Sequence, residues 1–240
     1  AKTGTNRYRH IFESGRDRMI QEIGLNTGAL RTDSVMIEAN MKKMSRVALF
    51  HKVFSNLVRD ILRRKVTLSE QYTSFLKHDE DGFCYRLKSE DTKTVLEELG
   101  QKIREVLLEH GSTVVGMKSK EDAERLLSDQ CIIENDRITI KSGNQIKSSA
   151  LQNPADSDAT YRRKGNAEYR GYSTHAVETC DPENPVQAIV DVDTVTNIVD
   201  DASVLASNLK RIKDSTGVEV IITDGGYFSS AVREECDDLN

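Results

Sequence analysis

Residues 30–41 read LRTDSVMIEANM. Val35, Ile37 and Ala39 alternate with other residues, and a two-residue period places successive side chains on opposite faces of a pleated strand. The stretch predicts a strand carrying an early aspartate, Asp33. The period then changes: Val47, Leu49, Phe50, Val53, Phe54, Leu57, Val58, Ile61 and Leu62 recur at three- and four-residue spacing, which marks one long amphipathic helix. A second helix is expected around Leu68 to Lys77, followed by a polar turn at HDEDG (78–82). A third runs from Asp91 to Glu109, with Val95, Leu96, Leu99, Ile103, Val106 and Leu107 on one stripe. A fourth is expected from Lys120 to Leu127, with Ser119 as its cap and Asp122 completing the box. Residues 42 to about 130 thus read as a helical block.

Beyond it, SGNQIKSSALQNPADSDATYRRKGNAEYRG (142–171) is polar, contains glycine and is broken by Pro154, as a surface loop is. Strands then return. YSTHAVET (172–179) and VQAIVDV (186–192) flank the turn sequence DPENP and predict an antiparallel hairpin. Asp200 or Asp201 caps a helix running to about Ser215, with Val204, Leu205, Leu209 and Ile212 facing a core and Gly217 ending it. VEVIIT (218–223) is nearly continuous and apolar, the pattern of a strand buried on both faces, and Asp224 stands at its end before Gly225 and Gly226.

The chain has 240 residues with 37% hydrophobic and 30% charged, enough for one good-sized core or two small ones. No window approaches the roughly 20 apolar residues that span a bilayer, and AKTGTNRYRH (1–10) lacks the apolar centre of a signal peptide, so a cytoplasmic protein with no membrane partner is expected. Cys84, Cys131, Cys180 and Cys236 form no CxxC pair and read as reduced thiols. A start at Ala1 without an initiator Met leads to the expectation that the chain is part of a longer protein. The net charge of −5 argues against a protein that coats DNA non-specifically, because phosphate neutralisation needs a basic excess. DNA contact is left to local clusters: Lys42, Lys43 and Arg46; Arg59, Arg63, Arg64 and Lys65; Arg162, Arg163, Lys164 and Arg170. Each is equally a solvated face.

With the helical block set aside as an insertion, the order is β β β α β α, that of an RNase H-like core in which the two Asp-bearing strands are able to lie side by side. Cleavage and rejoining of phosphodiesters uses two divalent ions about 3.5–4 Å apart. Magnesium takes hard oxygen ligands, and carboxylates held on strands supply them. Asp33 and Asp224 meet that requirement. The plainer alternative is that Asp33 caps a turn with Ser34 and Asp224 ends a strand in a glycine turn.

Four segments, LRTDSVMIEANMKKMSR (30–46), SSALQNPADSDATYRRKG (148–165), YRGYSTHAVETCD (169–181) and VIITDGGYFS (220–229), resemble consecutive signature blocks of bacterial insertion-sequence transposases of the DDE type. They span nearly all of the chain from Leu30 to Ser230, with the helical block matched mainly in length and character. The resemblance implies an α/β, RNase H-like mixed sheet with a long helical insertion between its first and second strands. It implies Asp33 and Asp224 as catalytic, metal-binding acids for Mg2+ or Mn2+, and cleavage and strand transfer of insertion-sequence ends into target DNA within a homo-oligomeric complex. The expected division is 1–28 as an N-terminal remnant or linker, 29–41 as the first core strand, 42–148 as the mainly helical insertion and 149–240 as the rest of the core. Arg162, Arg163 and Lys164 are the expected phosphate contacts, with Tyr161 facing a splayed base. The family's third acid is a Glu well downstream of Asp224, and Glu234 and Glu235 stand too close to it, so the expectation is a fragment without that ligand. Two rivals remain: a catalytically inactive remnant that binds only DNA or a partner, and a different nuclease on the same fold. His175 in a strand is read as a packed or surface histidine ahead of a catalytic one, and Glu178 on the same strand could approach the metal pocket but is not counted among its residues.

Overall fold

The computed structural model describes residues 7–239, and residues 1–6 of the expected N-terminal remnant lie outside them. The elements follow in the order α1 (Arg7–Ile23), β1 (Ala29–Glu38), α2 (Arg46–Arg63), α3 (Glu70–Thr73), α4 (Glu80–Tyr85), α5 (Thr92–His110), α6 (Lys118–Gln130), β2 (Cys131–Glu134), β3 (Arg137–Ile140), β4 (Thr160–Lys164), β5 (Ala167–Thr179), β6 (Ile189–Thr196), α7 (Asp201–Thr216), β7 (Val220–Ile222) and α8 (Ser230–Asp238). The fold is mixed α/β with a mixed sheet ordered β4-β5-β1-β7, to which β6 adds by pairing β5. The chain divides into two compact units, one of residues 1–37 and 172–240, the other of residues 38–171. The division falls after Ile37 and Gly171, so residues 149–171 group with the helical block.

In the second unit, α2 is the central element. Its start is set by Ser45, whose Oγ accepts from Ala48 N (3.2 Å). Phe50, Phe54, Leu57 and Ile61 are fully buried in one core with Leu99, Ile103 and Val106 of α5 and Leu126 of α6. Burying each such side chain contributes about 1.5–3 kcal/mol. The HDEDG stretch is a correction to the expected turn. Asp79 caps α4 by accepting from Gly82 N (2.8 Å), and Phe83 stacks on buried His51 (centroids 4.5 Å), so the polar run opens a short helix. α6 begins two residues before the expected start. Gly116, at φ 72°, turns the chain there, which leaves Ser119 buried inside the helix and Asp122 paired with Lys118 at 2.7 Å.

The expected helical block also holds a hairpin. β2 pairs antiparallel with β3, joined by Asn135 and Asp136 at φ 47° and 64°. Two left-handed residues are what a tight primed turn requires, so Asn-Asp between β-branched runs was the signal. The expected surface loop contains β4, which pairs with the start of β5 from Thr160↔Gly171 to Lys164↔Ala167.

In the first unit, β5 pairs antiparallel with β6, as expected from the hairpin signal, from Tyr172↔Thr196 to Glu178↔Ile189. β1 lies beside β5, with Cys180 N donating to Ala29 O (3.1 Å). β7 adds in parallel on the far side of β1, the registered pairs being Ala29↔Val220, Leu30↔Ile221 and Arg31↔Ile222. α7 is capped by Asp200, which accepts from Ser203 N (2.9 Å), and ended by Gly217 at φ 69°. Its Leu205, Leu209 and Ile212 share a core with Leu30, Val177, Val190 and Val218. β7 corrects the expectation of a strand buried on both faces: Val220 and Ile222 are more than half exposed. It stands last in the strand order, and the apolar run faces a core only at Val218 and, in part, Ile221. Helix α1 had no sequence signal, because its anchors are polar. Arg9 donates to Val192 O and to the buried Asp191 (both 2.7 Å), and Arg16 to Val190 O (3.4 Å). An apolar periodicity cannot reveal a helix held in this way.

Candidate acidic site

Asp33 is the fifth residue of β1. Leu30 and Thr32 are buried while Arg31, Asp33 and Val35 are exposed, so the pleat turns Asp33 to the open face. Asp224 lies two residues past the end of β7, at the head of a 3-10 turn over Gly225–Tyr227. The β1–β7 register has an offset of 191 (220 minus 29), and Asp33 and Asp224 share it (224 minus 33). Registered pairing ends two residues before either aspartate, and the same offset continued that far would set them side by side at the roughly 4.8 Å spacing of neighbouring strands.

Both local alternatives are also realised. Asp33 Oδ1 accepts from Ser34 N (2.7 Å), and Asp224 Oδ1 accepts from Gly226 N (2.8 Å). These bonds engage one carboxylate oxygen of each residue, so turn capping and a further role are compatible. A Cβ at Gly226 would lie 3.0 Å from Asp224 Oδ1, so a side chain there would press on the Asp224 carboxylate, while Asp201 Oδ2 would stand at an ordinary contact distance of 3.6 Å.

Beneath the open face is a polar network that sequence reasoning did not assemble. Tyr227, 1% exposed, places its hydroxyl 3.1 Å from His175 Nδ1, and Thr32, whose hydroxyl donates to Ala176 O (3.1 Å), lines the same small cavity. Burial pushes the phenol above its ordinary value, which keeps it a neutral hydroxyl. His175 is buried as expected, and its Nε2 lies 3.8 Å from Asp201 Oδ1. Asp201 was read only as a possible helix cap, and Tyr227 only as part of the DGGY block. No periodic pattern marks residues that meet through folding.

Other expected residues have their own local settings. Glu178 forms a double contact with Arg31 (Nε to Oε2 3.1 Å, Nη2 to Oε1 2.9 Å), an ion pair on the open face. Glu234 and Glu235 lie on α8. Arg162, Arg163 and Lys164 are on strand β4, which corrects their expected place in a loop, since each pairs across to β5. Arg163 and Lys164 are exposed next to Gly165, at φ 61°, which turns the hairpin. Arg46 spends its guanidinium on the carbonyls of Lys141 (2.8 Å) and Gln130 (3.0 Å), so that member of its cluster is structural.

Two aspartates offer hard oxygen donors, and magnesium is held by one or two carboxylates with water and phosphate completing its shell. In type, therefore, Asp33 and Asp224 fit such an ion. Among the described residues no group of three or more His, Cys, Asp or Glu side chains is arranged to hold a metal, and no helix is long and apolar enough to cross a membrane. No protein-family model, curated protein or solved structure matches the chain.

Proposed function

We propose that the chain is the catalytic region of a DDE-type transposase, acting on insertion-sequence ends and target DNA with magnesium or manganese. The observation that carries the reading is that the separation of Asp33 and Asp224 equals the β1–β7 register offset, two residues beyond its last pair. Support comes from the strand order β6-β5-β1-β7, with β7 parallel to β1 and β5 and β6 joined as an antiparallel hairpin. An RNase H-like core has that order, and the residues between β1 and β5 then stand as its insertion. The four sequence blocks point the same way.

In this reading Asp33 is held by the strand and Asp224 by its turn, so that both carboxylates face one phosphodiester. Divalent ions bound there supply activation of the attacking oxygen and stabilisation of the leaving one. The protein's own part is to fix the carboxylate spacing and to orient DNA, with Arg162, Arg163 and Lys164 as phosphate contacts.

Calorimetric titration with manganese tests the assignment. Asp33→Ala and Asp224→Ala are each expected to weaken binding by about tenfold or more, or about 1.4 kcal/mol. Unchanged affinity in either variant removes the site. Salt-dependent DNA binding without any manganese binding by the unaltered chain replaces the reading with that of a DNA-binding remnant.

A further inference from the structure

Registered pairing between β1 and β7 stops at Arg31↔Ile222, and Asp224 sits beyond it on a turn containing two glycines. A backbone of that kind has wide conformational freedom. Something else must hold the turn against β1 if the two aspartates are to keep a fixed separation. Tyr227 is placed to do so. It lies three residues after Asp224, and its backbone N closes the turn on Asp224 O (3.3 Å). Its side chain then leaves the turn and becomes fully buried. There it shares a core with Leu30 of β1 and lines one small cavity with Thr32, the residue before Asp33.

The hydroxyl is held from the next strand. His175 on β5 reaches it with Nδ1 at 3.1 Å, and the two rings meet edge to face with centroids 6.0 Å apart. Asp201, at the start of α7, lies 3.8 Å from the other ring nitrogen. A buried hydroxyl bonded to His175 of β5 is costly to strand, because its desolvation is then no longer compensated. The turn therefore has one preferred place beside Asp33.

We infer that Tyr227 is a positioning residue: its buried side chain, the hydroxyl steadied by His175, fastens the turn bearing Asp224 against the strand bearing Asp33 and sets the separation of their carboxylates. The inference rests on reading Asp33 and Asp224 as one paired site.

Cross-linking in the full chain tests the separation without any metal. Asp33→Cys with Asp224→Cys places two thiols on adjacent positions, within the span a disulfide bridges. Peptide mass spectrometry distinguishes that bond from any made by the four native cysteines. It is expected to form readily, and about tenfold more slowly when Tyr227→Phe is added, since the ring stays and only the hydroxyl is lost. His175→Phe, which keeps a ring but removes the partner of the hydroxyl, is expected to slow it as well and decides the matter if Tyr227→Phe does not fold. A rate unchanged in the folded variants overturns the inference, as does a parent pair that never cross-links. Manganese titration separates the two readings. Tyr227-dependent cross-linking in a chain that binds no manganese keeps the positioning role and removes the metal. Manganese binding lost in Asp33→Ala, with a cross-linking rate indifferent to Tyr227, removes the positioning role alone.

Discussion

His51 sits inside the core of the second unit, stacked on Phe83, with Nε2 donating to Phe75 O (3.0 Å). Burial lowers its pKa from the ordinary 6.5, so the folded chain refuses a proton that the unfolded chain accepts. The contribution to stability is complete above the ordinary histidine value and is lost as pH falls through it towards the folded one. Urea unfolding between about pH 8 and pH 5 is expected to show declining stability, with a shallower decline in His51→Gln. A profile of equal slope in that variant would exclude His51 as the source. At this scale the sequence offered Asp33 and Asp224 as candidates through the resemblance of the RTDS and DGGY blocks, their places alone fitting a turn and a cap as well. It did not show that Tyr227, Thr32 and His175 line one small cavity. Those residues are separated by up to 195 positions (227 minus 32), and only the sheet brings them together.

Helix α5 illustrates how a neighbour overrules a local preference. Gly100 lies in its interior, where alanine gains roughly 1 kcal/mol in helix propensity. A Cβ at that position would stand 2.9 Å from Ile138 Cγ2 on β3, and also against Phe50 and the Cys131 thiol. Ile138 is branched at Cβ and has little freedom to turn aside. Gly100→Ala is therefore expected to destabilise by about 1–3 kcal/mol before the propensity gain is subtracted. A raised melting temperature in that variant would contradict the packing described. The long amphipathic helices α2 and α5 were legible because their apolar stripes are dense. β7 was misjudged for the opposite reason: an apolar run identifies a strand, but its place in the sheet decides which side chains are covered.

Charge is a property of the whole molecule, and −5 overall would leave the proposed DNA binding to places where cations gather. The end of the β4–β5 hairpin is one, with Arg163 and Lys164 exposed there. Replacing both with alanine is expected to weaken DNA binding about equally across sequences and to lower the slope of log affinity against log salt by about 2. A slope that does not change would place the phosphate contacts elsewhere. The sequence by itself determined the long amphipathic helices of the middle of the chain and the strands β1, β5 and β6. Those follow from the period of apolar side chains, which acts over a few residues, whereas Asp33 and Asp224 were singled out by the resemblance of their blocks. Only the tertiary structure decided that the β1–β7 register gives Asp33 and Asp224 the same offset, that α1 is fastened by arginines and that Tyr227 is buried against β1. Strand register and hydrogen bonds between distant residues depend on which segments pack together, and no local pattern in the chain encodes that.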